Sequence, residues 1–258
     1  MIDKIKDRLS RNERILAYGA GRMLHHGLLQ MVGLRGGFHA VWFDEEHIGL
    51  TVREIEVGVL AARAMGLDSF VRVAPTSYAI VTRCLEAGSS GVMAAQIFTA
   101  AEAEEFVSWS KFAPRGGRGL NSGGRDANYG GIPLAEFCRK ANEETFVAIQ
   151  IETAQSVEEC DAIAAIDGVD MLFVGPADLS QGLGVIGEFM HEKCLAAIDR
   201  VAAACKKHKK HWGAVSANAE HADMLAAKGC TMISPANDVK VFSAGLESVK
   251  QEYAAFFE

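Results

Sequence analysis

VAIQIETAQSVEECDAIAAIDGVDMLFVG, residues 147–175, is the stretch that decides the fold. Two short apolar runs, VAIQIE (147–152) and MLFVG (171–175), flank SVEECDAIAAIDG, whose apolar residues recur at helical spacing. Neither run alternates apolar with polar residues. Continuous apolar runs of this length suit strands buried on both faces, as in parallel sheets. Parallel neighbours need a crossover connection, and the intervening helix supplies one.

The same unit repeats in both directions. Further runs are ILAYG (15–19), AVWFD (40–44), FVRVA (70–74), GVMAA (91–95), WGAVS (212–216) and TMISP (231–235). Between them lie VREIEVGVLAARAMG, SYAIVTRCLEAG, TAAEAEEFVSWSKF and NAEHADMLAAKG, and VKVFSAGLESVKQEYAAFF follows the last run. Several of these segments open on Ser, Thr or Asn and close on Gly, as helices do. Strand and helix candidates in alternation predict an α/β fold, a (β/α)8 TIM barrel forming a single domain over residues 1–258. A doubly wound open sheet is the alternative. Its nucleotide-binding forms lose support, because no G-x-G-x-x-G follows the first run and no P-loop occurs. One segment stands apart, Pro114 to Pro133, with seven glycines and three arginines. It reads either as a flexible surface loop or as a mobile or subunit-contacting element beside the site.

Composition narrows the function classes. The net charge of −7 argues against a nucleic-acid partner, which calls for a basic face. The one basic run, KKHKKHW (206–212), falls where a helix should end, and cations favour that end of the dipole. Six cysteines without a C-x-x-C pair read as reduced thiols, hence a cytoplasmic protein. The charged start MIDKIKDRLSRNERI lacks the apolar core of a signal peptide. No apolar run approaches the roughly 20 residues that span a bilayer, so no membrane is expected.

Barrel enzymes place their chemistry at the C-terminal ends of the strands. Asp44, with Glu46 and His47 just beyond, closes the second run; Arg72 lies inside the third; Gln96 follows the fourth. Gln150 and Glu152 end the fifth, and Asp178 follows the sixth. Charges in or just after buried strands are costly unless paired or bound to a metal. Two carboxylates, Glu152 and Asp178, suit a hard cation such as Mg²⁺ or Mn²⁺. The alternative is helix capping, with Asp178 capping a helix from Leu179 and Thr153 acting as a cap of its own. A cysteine-ligated zinc site is not supported. His47 stands three residues after Asp44, which could orient its imidazole as a general acid–base; a solvated loop histidine is the alternative. His25 and His26 read as helix or loop polar residues. Arg72, between Val71 and Val73, should point into the barrel mouth, toward an oxyanion or a structural partner such as Glu46. In VGPADLSQGLG (174–184), Gly175 and Pro176 make a turn that leaves the N–H groups of Ala177 and Asp178 at a helix start, where anionic oxygens bind.

These residues resemble a known family. FDEEH (43–47), VRV (71–73), PRGGRG (114–119), QIET (150–153) and DGVDMLFVGPADLS (167–180) are similar to motifs of the metal-dependent, class II pyruvate aldolases of the HpcH/HpaI family, and the resemblance runs nearly the whole chain. It implies that Glu152 and Asp178 bind a divalent cation, Mg²⁺, Mn²⁺ or Co²⁺. It implies that Arg72 contacts the keto oxygen and that His47 and Asp44 form the acid–base dyad. The amides of Ala177 and Asp178 would hold the pyruvate carboxylate, with Gln150 near metal and substrate and Glu46 supporting Arg72. The implied reaction is reversible cleavage of a 4-hydroxy-2-oxo acid to pyruvate and an aldehyde through a metal-stabilised enolate. No lysine stands at a strand end for a Schiff base. Alternatives are a citramalyl- or malyl-CoA type lyase, an oxaloacetate decarboxylase, and a non-catalytic keto-acid-binding protein. The resemblance also implies a homo-oligomer, hexamer or trimer, whose final helix is exchanged with a neighbouring subunit. There Glu86, where the family usually has Asp, would reach a neighbour's site. The first strand region and TMISPAND depart from the family pattern, and both shape the aldehyde pocket.

Overall fold

The computed structural model describes residues 2–257. Eight parallel strands close into a barrel in chain order. They are β1 (Ile15–Ala20), β2 (Ala40–Asp44), β3 (Asp68–Val73), β4 (Gly91–Ala94), β5 (Phe146–Ile151), β6 (Met171–Val174), β7 (His211–Val215) and β8 (Met232–Asn237), and β8 pairs back onto β1. Each predicted run carries a strand, within about two residues at either end. Around them lie α1 (Ile5–Ser10), α2 (His26–Arg35), α3 (Val52–Ala64), α4 (Tyr78–Glu86), α5 (Ala100–Ser110), α6 (Leu134–Glu144), α7 (Ala154–Ala165), α8 (Pro176–Gly182), α9 (Glu192–His208), α10 (Ala219–Ala227) and α11 (Asp238–Glu252). No helix among the described residues is long and apolar enough to cross a membrane.

Local chemistry sets the helix starts. Thr51, Thr99 and Thr153 each accept a main-chain N–H from the first turn of α3, α5 and α7, in capping boxes that satisfy otherwise orphaned donors. Thr153 therefore caps α7 and leaves Glu152 free of that duty. Asp178 lies inside the first turn of α8, two residues past its start at Pro176, so it does not cap a helix from Leu179. His25 caps α2, accepting from the Gly27 N–H. The basic run ends α9, where Lys207 and His208 meet Asp161.

Period-two alternation divides the strand residues between two cores. Val41, Phe43, Val71, Ile149, Ile151 and Leu172 face outward and pack under the helices. Ile15, Ala17, Ala40, Trp42, Phe70, Met93, Phe146, Ala148, Met171, Phe173 and Met232 fill the barrel interior. Two residues on from Trp42, Phe70 and Ala148, the inward register reaches Asp44, Arg72 and Gln150; Glu152 is the next on β5's side. The interior is thus apolar below and polar at its C-terminal mouth.

The floor is closed by α1, which lies within the charged start MIDKIKDRLSRNERI, where no helix was expected. Its Ile5 and Leu9 join the interior cluster, and the buried Asp68 accepts the Ile5 N–H at 2.8 Å. β3 begins at Asp68, whose main-chain N–H donates to the His39 carbonyl at 3.1 Å.

The Gly/Arg-rich segment 114–133 is neither free nor beside the chain's own site. It packs at the N-terminal end of the strands, on the opposite face of the barrel. Arg118 is buried, pairs with Asp126 and lies 4.6 Å from the Phe112 ring centroid. Arg115 pairs with Glu104 at 2.8 Å and donates to the Asp167 carbonyl. The Arg125 N–H donates to the Glu86 carbonyl at 2.9 Å. Just before the segment, buried Lys111 donates to the carbonyls of Asn142 and Thr145, at 2.9 and 2.8 Å.

Candidate active site

Arg72 is the centre of the mouth. Its Nε and Nη2 donate to Oδ1 and Oδ2 of Asp44 at 3.1 and 2.8 Å, a bidentate pair across the β2–β3 register. Its Nη1 lies 3.2 Å from Oε2 of Glu46. The guanidinium carbon stands 4.9 Å from the ring centroid of Trp42, whose Nε1 donates to Ser234 Oγ at 2.9 Å. Gly19 makes this possible: a Cβ there would sit 3.0 Å from the Trp42 ring. Glu46 is thus the second carboxylate within ion-pair distance of Arg72.

His47 is placed differently from the expected dyad. The Asp44 carboxylate is taken up by Arg72 and accepts the main-chain N–H of His47 at 3.3 Å. Asp44 thus fixes the His47 backbone, while the carboxylate nearest the ring is Glu46, with Nε2–Oε2 at 3.6 Å. A three-residue spacing in a turn brings an aspartate to the following main chain more readily than to the ring. The imidazole is 56% exposed at the rim.

Glu152 lies across the mouth, buried. Its Oε1 accepts the main-chain N–H of Gln96 at 2.7 Å and Gln96 Nε2 at 3.1 Å, and its Oε2 accepts Nε2 of Gln150. Gln96 adopts a left-handed conformation (φ 51°) that turns its N–H to the carboxylate. Gly175 backs the carboxylate so closely that a Cβ would fall 2.6 Å from Oε2. Burial pushes the Glu152 carboxyl up to about 7; the nearby charges of Glu46 and Asp178 add to this, against the Gln96 N–H and Arg72. Asp178 is half-buried in the first turn of α8. The amides of Ala177 and Asp178 belong to the same turn, whose N–H groups lack intrahelical acceptors.

Asp44, Glu46, His47, Arg72, Gln150, Glu152, Ala177 and Asp178 therefore share one end of the barrel. Glu86 does not join them. It ends α4 at the opposite face, bordering a cavity with Arg53, Arg83 and Tyr129. Sequence reading missed Trp42 and Ser234, because an inward tryptophan inside an apolar run looks like core. The signal was its register, two residues before Asp44.

The donor set fits a hard cation. Among the described residues no group of three or more His, Cys, Asp or Glu is arranged to hold a metal. Two carboxylates and an amide oxygen nevertheless suit Mg²⁺ or Mn²⁺, which keep open positions for water and substrate oxygens. Gln150 Oε1 is buried without a partner, and a buried polar oxygen of that kind calls for one. The raised carboxyl of Glu152, among other acids, is the electrostatic counterpart of the same demand.

Residues 34–244 match the HpcH/HpaI aldolase/citrate lyase family. A 4-hydroxy-4-methyl-2-oxoglutarate aldolase of Hapsidospora irregularis is 34% identical over 196 residues, 74% of this chain and 72% of that one. A 5-keto-4-deoxy-D-glucarate aldolase of Klebsiella pneumoniae is 28% identical over 224 residues, 87% and 86% of the two chains. The crystal structure of an HpcH/HpaI aldolase/citrate lyase family protein from Burkholderia cenocepacia superposes with a TM-score of 0.88 at 29% identity, covering 96% of this chain and 98% of that one. By its matched span, and with its barrel and its mouth of paired acids around one arginine, the chain belongs to the HpcH/HpaI aldolase/citrate lyase family.

Proposed function

We propose that this protein is a class II aldolase that reversibly cleaves a 4-hydroxy-2-oxo acid to pyruvate and an aldehyde. One observation carries the reading: Arg72, clamped by Asp44 and Glu46, faces the same mouth as the buried carboxylate of Glu152 and the first turn of α8. Glu152 and Asp178, with Gln150, are the residues that would hold a divalent cation. When bound, the cation supplies Lewis-acid polarisation of the 2-oxo group.

The chain's own residues do the rest. The amides of Ala177 and Asp178 bind the carboxylate of the pyruvyl half. Arg72, fixed on three sides, presents its remaining N–H surface to the keto oxygen and stabilises the negative charge that grows there. His47 Nε2 takes the proton from the 4-hydroxyl, and Glu46 beside it stabilises the imidazolium so formed. The C4–O pair becomes the aldehyde carbonyl, the C3–C4 bond breaks, and its electrons pass to the enolate oxygen. A proton returned to C3 gives pyruvate.

The same reading makes the protein a cytoplasmic homo-oligomer, hexameric or trimeric, with α11 exchanged between subunits. Its support is the apolar surface of α11, which the chain's own barrel leaves exposed, and six free cysteines.

The test is pyruvate release from a panel of 4-hydroxy-2-oxo acids. Activity should vanish with chelator and return with Mg²⁺, Mn²⁺ or Co²⁺. Borohydride with pyruvate should leave the protein unmodified. A pyruvyl adduct trapped on a lysine would overturn the proposal.

A further inference from the structure

We infer that a cavity on the N-terminal face of the barrel binds a phosphate-bearing anion through Arg63 and Arg125. The cavity, about 220 Å³, lies between the end of α3, the turn from α4 to β4, the segment 114–133 and the end of α6. It is across the barrel from the mouth, so its occupant does not compete with the substrate of the proposed aldolase. Two arginines converge on the turn at Gly88. Arg63 Nη2 donates to the Gly88 carbonyl at 3.3 Å. The stem of Arg125 crosses the same residue: a Cβ on Gly88 would fall 2.7 Å from the Arg125 Cγ. Glycine, at a φ of 96°, supplies both the conformation and the room.

Neither charge is compensated at contact distance. Among the described residues no carboxylate lies within 4.0 Å of Arg63 or Arg125. The two carboxylates that line the cavity are taken, Asp126 by Arg118 and Glu144 by Lys4 and Lys140. Burial holds the Arg63 guanidinium below the usual arginine range, and Arg125 beside it adds to this, while Asp68 draws it the other way from beyond that distance. Two half-buried like charges side by side are costly unless an anion joins them.

A third arginine makes the same demand. Arg118 lines the cavity, is 6% exposed, and its Nε is buried without an acceptor. A buried donor of that kind calls for a partner. The occupant's chemistry follows from this set. A chain with a net charge of −7 does not gather anions at large, so the attraction is local to these arginines. Planar guanidinium forks match the oxygens of a phosphate group in pairs. A cavity of this size admits inorganic phosphate or a short phosphate ester and excludes a nucleic-acid chain.

The test titrates inorganic phosphate and glycerol 3-phosphate into the full chain, free of metal, by calorimetry, with chloride at matched ionic strength as the control. The native protein should bind at least one of them saturably. Tighter binding of glycerol 3-phosphate identifies a small ester as the occupant, and tighter binding of phosphate identifies the free ion. Arg63→Gln and Arg125→Gln, checked for fold by circular dichroism, should each weaken binding about tenfold or more, the loss of one charge-assisted contact. In the native protein, the bound anion should slow phenylglyoxal modification of Arg63 and Arg125, read by peptide mass spectrometry. This second measurement does not depend on the variants folding. No saturable binding of either probe, affinity within about twofold of native in both variants, or equal modification with and without the anion overturns the inference. None of these outcomes touches the aldolase reading.

Discussion

Arg72 holds two carboxylates and an indole face at once. Only a planar, forked cation can do that. A lysine keeps the charge but loses the bidentate contact with Asp44 and the stacking on Trp42. Arg72→Lys should lower kcat/KM about a hundredfold or more, on the scale of removing one fixed donor from an oxyanion site. Steady-state kinetics alongside thermal unfolding separate this from loss of fold; recovery of near-native activity in the lysine variant would contradict the assigned geometry. Glu152 makes a second residue-scale case. Its oxygens accept three N–H donors, yet its carboxyl is raised to about 7 by burial and by neighbouring acids. A divalent cation beside it would stabilise the ionised carboxylate and displace its proton. Glu152→Gln should abolish saturable Mn²⁺ binding in calorimetry, and unchanged binding would move the metal elsewhere.

At the scale of elements, the strands were legible because burial on both faces leaves little choice but apolar residues. The exceptions, Asp44, Arg72, Gln150 and Glu152, stood out for that reason, and they occupy the inward register at the mouth. What was hidden depends on contacts distant in sequence. The helix α1 has only Ile5 and Leu9 to bury, and its role as barrel floor needs the rest of the barrel. The pairing of Asp44 with Arg72 rather than with the His47 ring comes from strand register, which spacing along one strand does not reveal. Segment 114–133 looked unanchored because Arg118 is fixed by the rings of Phe112 and Phe137. Lys111, at the root of that segment, carries a testable consequence. Burial lowers its ammonium to about 8, against about 10.4 for a free lysine. Between those values the unfolded chain binds more protons than the folded one, so stability rises as pH increases through that window. Below it both states are protonated, and the cost of the buried charge is constant. Urea unfolding at pH 7.5 and 10 should show the native protein gaining stability relative to Lys111→Met; parallel behaviour of the two would show that the ammonium is solvated after all.

For the whole molecule, α11 poses the main physical problem. Val239, Phe242, Leu246, Val249 and Tyr253 recur at intervals of three and four residues and are each about half exposed. That spacing forms a single apolar seam along one side of the helix, the pattern that packs against another helix. The chain's own barrel does not cover it: α11 touches little beyond β8 and β1. Phe256, just past the helix, is 84% exposed. A continuous apolar stripe of this kind marks an interaction surface, and in a homo-oligomer the matching surface belongs to another copy. The start of the same helix provides Asp238, which clamps the Gly21–Met23 turn at the mouth. In the proposed oligomer, one element would join the subunit contact to the turn at the barrel mouth. Phe242→Asp with Leu246→Asp places two charges in the seam, far enough along α11 from Asp238 to leave the clamp in place. Light scattering after size exclusion should show the native protein as an oligomer and the double variant as a smaller species, because burying unpaired carboxylates costs more than the contact returns. If docking of α11 steadies the turn it carries, the dissociated variant should also lose activity at the dilution where the native oligomer keeps it. A native protein that is monomeric throughout would remove both the exchange of α11 and this coupling.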